Sequence, residues 1–189
     1  MSEPRAIVIG CSAGGLNALE RLLAELDTAL PATVIICAHT GSSDVELLCE
    51  LLSRHSRLPV IEAAEREPAH VGVVQVAPSG YHLLVEHDAR FALSVDPKVN
   101  FCRPSIDVLF TSAADAYRDT LIGVLLTGAN QDGARGLADI RRQGGVAIVQ
   151  DPGDAEVATM PQAGLDIAGA DYCVPLNDLA PLLNRLCIR

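Results

Sequence analysis

Hydrophobic residues along the chain alternate between short continuous runs and longer stretches in which they recur every three or four positions. The continuous runs, rich in valine and isoleucine, predict buried strands. They lie at residues 6–9, 33–38, 59–62, 71–77, 121–126, 146–150 and 172–174. The periodic stretches predict helices that begin at residue 16 and that span residues 44–54, 104–118, 134–143, 160–168 and 179–186. This alternation predicts a doubly wound α/β fold with a mostly parallel sheet.

The segment between residues 78 and 104 departs from this plan. Residues 81–85 and 90–95 alternate apolar and polar positions, and the polar pair His87-Asp88 lies between them. That pattern predicts an antiparallel β-hairpin inserted into the parallel arrangement. Pro104 then predicts the start of the next helix, since the first helical position needs no backbone N–H.

A sharp turn connects the first strand to the first helix. The sequence Gly10-Cys11-Ser12-Ala13-Gly14 matches the G-x-S-x-G pattern of a nucleophile elbow. Small residues let such a turn bend tightly and leave the serine hydroxyl exposed, while free N–H groups at the helix start can bind an anion. The same pattern is compatible with a glycine-rich turn that binds nothing, or with a phosphate-binding loop.

Two further polar residues follow predicted parallel strands. His39 comes directly after the strand at 33–38, and Asp132 lies in the loop after the strand at 121–126. Ligands bind beyond the carboxyl ends of the strands in such sheets, so Ser12, His39 and Asp132 fall at one edge and supply a Ser-His-Asp triad. Taken singly, His39 could merely satisfy a carbonyl group, and Asp132 could merely cap the helix that follows it. The remaining four histidines are expected at the surface: His55, His70, His82 and His87.

Composition narrows the class of protein. The 189 residues carry a formal net charge of −10, which argues against nucleic acid or an anionic membrane as the main partner. No apolar run reaches the roughly 18 residues of a transmembrane helix, and no signal peptide precedes the first strand. The six cysteines form no C-x-x-C pair, so we expect reduced cysteines, no zinc site and a cytoplasmic location.

Five blocks of sequence, in order, point to one family. They are the turn IGCSAGG at residues 9–15, His39, the octapeptide RPSIDVLF at 103–110, the loop LTGANQDGA at 126–134, and Gln150-Asp151 followed by MPQA at 160–163. In these blocks nearly the whole chain resembles the catalytic domain of the CheB-type chemotaxis protein-glutamate methylesterases.

The resemblance implies a fold, a reaction and a set of site residues. The fold is a three-layer α/β/α sandwich, and the reaction is hydrolysis of glutamate methyl esters on chemoreceptor helices (methyl-accepting chemotaxis proteins), with glutamine deamidation in some members. It implies Ser12, His39 and Asp132 as the triad, and the backbone N–H groups of Ala13 and Ala129 as oxyanion donors. No cofactor or metal is expected.

Several positions depart from the family pattern. Ala13 replaces a threonine, Ala38 replaces a glutamine, Thr40-Gly41 replaces Met-Pro, and Ala129-Asn130 replaces Met-Gly. These changes raise a second hypothesis, a catalytically weak receptor-binding or regulatory module of the same fold. A dinucleotide-binding domain is less consistent with the sequence, because Ser12 stands where the G-x-G-x-x-G pattern needs glycine.

The predicted elements also bear on regulation. They fill residues 1–189 as a single domain, whereas members of the family commonly carry a receiver domain ahead of the esterase. We therefore expect no receiver domain and a site that is open by default, with any control coming from a separate regulatory protein or from access to the receptor.

Overall fold

The structure, a computed structural model, describes residues 5–39 and 44–188. Within these residues, seven parallel strands form a central sheet and two antiparallel strands form a separate hairpin. In chain order the strands are β1 (Ala6–Cys11), β2 (Thr33–Ala38), β3 (Val60–Glu62), β4 (Val74–Val76), β5 (His82–Val85), β6 (Phe91–Ser94), β7 (Leu121–Leu125), β8 (Val146–Gln150) and β9 (Tyr172–Val174). The order in the sheet is β3-β4-β2-β1-β7-β8-β9, so β1 lies at its centre.

Helices cover both faces of the sheet. They are α1 (Gly15–Glu25), α2 (Val45–Ser53), α3 (Ile106–Tyr117), α4 (Ala134–Arg142), α5 (Thr159–Ile167) and α6 (Leu176–Cys187). Successive side chains of a strand point to opposite faces, so Ile7 and Ile9 pack with α1, α2 and α6, whereas Ala6 and Val8 pack with α3, α4 and α5. Because each central strand is buried on both faces, its sequence is a continuous apolar run. The predicted three-layer α/β/α fold with a hairpin is confirmed.

Three predicted element starts are wrong by two residues or more, and β1 extends two residues beyond its predicted end at Ile9, to Cys11. The helix predicted from Pro104 begins at Ile106, because the Ser105 side chain caps it by accepting from the Val108 N–H. The strand predicted over 71–77 is reduced to β4, since Gly72 turns the chain at φ 73°. Finally, α6 begins at Leu176 rather than residue 179, because the backbone N–H of Leu176 donates to the Asp154 carboxylate at 2.8 Å.

The chain reverses its winding direction at the centre of the sheet. From β1 it continues to β2 on one side, and from β7 it continues to β8 on the other. This arrangement opens a crevice at the carboxyl ends of β1 and β7, where ligands bind in folds of this kind. The Ser12 N–H donates to the carbonyl of Thr127 at 3.0 Å across that crevice. Among the described residues, no helix is long and apolar enough to cross a membrane.

Candidate active site

Ser12 lies on the turn that joins β1 to α1. Gly14 precedes the helix with φ 78°, a conformation that favours glycine, and the Gly15 N–H donates to the Ser12 carbonyl at 2.8 Å. A Cβ atom on Gly15 would lie 2.6 Å from the sulfur of Cys11, so the turn has no room for a larger residue there. The partly exposed Ser12 lines a cleft of about 530 Å³ together with His39.

His39 follows β2, and its backbone N–H donates to the carbonyl of Cys11 at 3.0 Å. Its Nε2 lies 2.9 Å from Oδ2 of Asp132, and the side chain is only 12% exposed. The two atoms are close enough for an ion pair, but the ring nitrogen forms no well-aligned hydrogen bond with any residue that the structure describes. The other ring nitrogen, Nδ1, lies 3.6 Å from Sγ of Cys102.

The structure thus brings the three predicted triad residues to one edge of the sheet. Ser12 and His39 share a cleft, and His39 contacts Asp132. No hydrogen bond joins the Ser12 hydroxyl to the His39 ring, both of which belong to the described residues. Catalytic hydrogen bonds are often long in ligand-free enzymes and shorten when substrate binds, so the arrangement is compatible with a triad.

Asp132 is fully buried and surrounded by hydrogen-bond donors. Oδ1 accepts from Ser105 Oγ at 2.8 Å and from Asn100 Nδ2 at 3.0 Å, and Oδ2 accepts from the backbone N–H of Ile106 at 2.6 Å. Burial by itself would raise the pKa of this carboxyl, but the close contact with His39 and the hydrogen bonds from Asn100, Ile106 and Ser105 outweigh burial and lower it. Asp132 is therefore a carboxylate, held at the positive N-terminus of α3.

The alternative role of Asp132 as a cap of the helix that follows it is wrong. That helix, α4, is preceded by Gly133 at φ 97° and has no side-chain cap in the described part of the chain. Asp107, in the first turn of α3, instead accepts from the N–H groups of Gly133 at 3.0 Å and Gly136 at 2.8 Å. The local sequence suggested a cap because aspartate before a helix commonly is one, but here the donors come from a different helix.

The loop after β7 is anchored against the Ser12 turn. Thr127 Oγ1 donates to the carbonyl of Ala13 at 2.9 Å, and the Thr127 N–H donates to Gln150 Oε1 at 2.9 Å. Among the described residues, the backbone N–H groups of Ala13 and Ala129 have no hydrogen-bond partner. These two predicted oxyanion donors thus lie on two loops that Thr127 connects. The Thr40-Gly41 departure from the family pattern lies outside the described residues.

Four residues near the site were not identified from the sequence: Asn100, Cys102, Ser105 and His82. The expectation that His82 lies at the surface is wrong, since it is buried, its Nδ1 accepts from the Ser105 N–H at 3.2 Å, and its Nε2 lies 3.1 Å from the Pro97 carbonyl. Ser105 could have been found from the sequence, because it belongs to the RPSIDVLF block that matches the family pattern. Asn100 and Cys102 follow no pattern, because their partners are far away in the sequence.

Comparisons with known proteins agree with this fold. The family model of the CheB methylesterases matches residues 7–183. A relative from Leptospira interrogans is 46% identical over 181 residues, which cover 96% of this chain and 94% of the relative. A protein-glutamate methylesterase/protein-glutamine glutaminase of Symbiobacterium thermophilum is 36% identical over 96% of this chain and 50% of its own length. The crystal structure of the Thermotoga maritima CheB methylesterase catalytic domain superposes with a TM-score of 0.93, at 30% identity, over 97% of this chain and 98% of that one.

The fold and the relatives place this chain in a class of enzymes that hydrolyse carboxylic esters and whose fold is built on a parallel sheet. Within that class, the chain belongs to the CheB methylesterase family. The resemblance noted in the sequence is thereby confirmed.

Proposed function

We propose that this chain hydrolyses glutamate methyl esters on chemoreceptors and releases methanol. The observation that carries the proposal is the position of His39, which shares a cleft with Ser12 and contacts the buried carboxylate of Asp132. Relatives named protein-glutamate methylesterase/protein-glutamine glutaminase support the substrate, and their names extend the proposal to glutamine side chains. The six free cysteines, four of them buried, favour a cytoplasmic location.

The reaction follows from the roles that each group is placed to take. Asp132 lies on the Nε2 side of His39 and holds a proton there, so Nδ1 is the nitrogen left to accept the proton of Ser12. The Ser12 oxygen attacks the ester carbonyl, and the backbone N–H groups of Ala13 and Ala129 bind the oxyanion. His39 then gives the proton to the departing methoxide, which leaves as methanol.

Hydrolysis of the acyl-enzyme completes the cycle. A water molecule attacks the glutamyl ester of Ser12 and loses its proton to His39, which returns that proton to the serine oxygen. The product is a glutamate carboxylate. Glu20 and Glu156 line the same cleft, so their negative charge favours a neutral ester over this product and aids its release.

The surface around the cleft suits a protein substrate. Leu16 and Leu47 line the cleft beside Ser12 and remain partly exposed. On the other side of His39, a cavity of about 220 Å³ is flanked by Phe101, whose side chain is 96% exposed. Exposed apolar groups of this kind mark sites of protein interaction, and here they flank the proposed catalytic residues.

A catalytically weak receptor-binding module is the second candidate. The missing hydrogen bond between Ser12 and His39 favours it, as do the alanines at positions 13, 38 and 129. Such a module would bind methylated receptor without releasing methanol.

The experiment that separates the two functions measures methanol release from methylated chemoreceptor by the purified chain, with Ser12→Ala as the matched control. We expect release by the wild type, loss of release in Ser12→Ala, and labelling of Ser12 by a fluorophosphonate probe. The hydroxyl is small and partly exposed, so the variant should change the free energy of unfolding by no more than about 1 kcal/mol. Receptor binding without methanol release or labelling would support the second candidate.

A further inference from the structure

We propose that His39, Cys102 and Asp132 form a binding site for Zn²⁺ or a similar borderline transition-metal ion, and that the bound ion reversibly inhibits the esterase. Metal binding itself stands on the geometry alone. The inhibition rests on the function proposed above for His39.

The three side chains converge although they are far apart in the sequence. One ligand atom from each, a ring nitrogen, the thiol sulfur and a carboxylate oxygen, lie within 4.8 Å of one another. A tetrahedral zinc ion separates its sulfur and nitrogen ligands by about 3.6 Å. Cys102 Sγ and His39 Nδ1 are 3.6 Å apart, so this pair is already at the required spacing. Asp132 Oδ2 lies 2.9 Å from the other ring nitrogen, Nε2, so one ion reaches all three ligands only when the imidazole ring of His39 turns to present a single nitrogen to both Cys102 and Asp132.

The chemistry of the ligands selects the class of metal. A thiolate and an imidazole prefer zinc and its neighbours, whereas Mg²⁺ and Ca²⁺ require sites made of oxygen ligands. Coordination releases the thiol proton to solvent, so the ligands contribute two negative charges that neutralise a divalent ion. Three protein ligands leave the fourth position to water, and His39 and Cys102 both line the cavity of about 220 Å³ from which it can enter.

Groups around the cluster already orient its members. Asn130 Nδ2 lies 3.6 Å from Cys102 Sγ and can donate to it, and the thiol can donate to the carbonyl of Asn100 at 3.3 Å. His39 Nε2 contacts Asp132 Oδ2 at 2.9 Å but forms no well-aligned hydrogen bond with any described residue, so a metal ion could replace this contact. Hydrogen bonds to metal ligands of this kind commonly strengthen metal affinity.

A bound ion stops the proposed proton transfer, whichever ring nitrogen it takes. If the ion binds Nδ1, that nitrogen can no longer accept the proton of Ser12. If it binds Nε2, the ring loses its contact with Asp132 and the electrostatic stabilisation of its protonated form. The sequence could not reveal the site, because residues 39, 102 and 132 form no spacing motif.

Binding is tested by titrating the reduced, metal-free chain with Co²⁺ and recording thiolate-to-cobalt absorption in the near ultraviolet. We expect the band in the wild type, its loss in Cys102→Ser, and its retention in Cys173→Ser, whose cysteine is exposed elsewhere. Ser12→Ala should also retain the band, even though it has no esterase activity. A missing band in the wild type, or a band that persists in Cys102→Ser, would overturn the proposal. Zn²⁺ should also slow alkylation of Cys102 by iodoacetamide in the wild type, which gives an answer even if Cys102→Ser folds poorly.

Inhibition is tested separately, with each protein compared to its own rate in the presence of a chelator. We expect Zn²⁺ but not Mg²⁺ to inhibit the wild type and Cys173→Ser, and Cys102→Ser to need at least tenfold more Zn²⁺ for the same inhibition. Equal sensitivity of Cys102→Ser and the wild type would place the inhibitory ion elsewhere and contradict the proposal. If the wild type released no methanol at all, the proposed function would fail while the cobalt titration still decided the binding site.

Discussion

Asp132, which precedes α4, stabilises the first turn of α3, and Asp107, which lies in α3, stabilises the first turn of α4. Asp132 precedes α4 but accepts from the Ile106 N–H at the start of α3, and Asp107 belongs to α3 but accepts from Gly133 and Gly136 around the start of α4. Asn100 Nδ2 connects the two carboxylates, at 2.9 Å from Asp107 and 3.0 Å from Asp132.

This exchange fixes Asp132 relative to His39 through two helices rather than one. The pKa values of the two carboxyls also shift in opposite directions. Burial raises the pKa of Asp107 despite its hydrogen bonds to the α4 backbone, whereas hydrogen bonds lower the pKa of Asp132 despite burial. The carboxyl that contacts His39 is thus the more acidic of the two.

Asp132→Asn should reduce methanol release by about 10³–10⁴-fold, because an amide favours the wrong tautomer of the histidine and does not stabilise its protonated form. The side chain would also place an NH₂ group among donors, so thermal unfolding should shift to lower temperature. Steady-state turnover and a melting curve measure the two effects. A loss of only a few-fold in turnover would show that Asp132 has a structural role alone.

Ser105→Ala removes both the cap of α3 and a donor to Asp132. We expect a loss of about 1 kcal/mol in the free energy of unfolding and roughly tenfold lower turnover, both recovered in Ser105→Thr. The matched control is Ser112→Ala, on the same helix, whose hydroxyl bonds Val85 and Leu109 rather than the site. If Ser105→Ala and Ser112→Ala lost stability to the same extent and both retained full turnover, Ser105 would not position Asp132.

Phe101→Ser should raise KM for methylated receptor at least threefold and leave KM for a small glutamyl methyl ester unchanged. The side chain is almost fully exposed, so its loss removes contact area from a large substrate without affecting the fold. Val71→Ser is the control, since Val71 is 65% exposed and lies at the opposite edge of the sheet. Its neighbour Gly72 donates its N–H to the carbonyl of Ala32, directly before the start of β2. Equal effects on both substrates would mean that Phe101 acts on the catalytic residues instead.

Ala129→Met restores the side chain that the family pattern has in the loop after β7 and leaves the backbone N–H in place. We expect a change mainly in apparent affinity for the receptor, because position 129 is exposed and a longer side chain there adds apolar contact area. Kinetics on the receptor and on a small ester measure it. A hundred-fold rise in turnover on the small ester would instead show that the oxyanion site of the wild type is impaired.

The sequence by itself determined the fold and the edge of the sheet where the site lies. Apolar runs buried on both faces identify parallel strands, and side chains that follow such strands share one edge, which brings Ser12, His39 and Asp132 together. The strand boundaries of β2, β8 and β9 were predicted to the residue for the same reason.

Tertiary structure alone decided which groups surround those residues. The donors to Asp132 come from residues 25 or more positions away, and Cys102 reaches His39 across 63 positions, distances over which no local periodicity carries information. The start of α3 was misplaced at Pro104 because Ser105 and the long-range contact to Asp132 set it. Local burial patterns follow from the order of residues, whereas these hydrogen bonds depend on how two helices pack against each other.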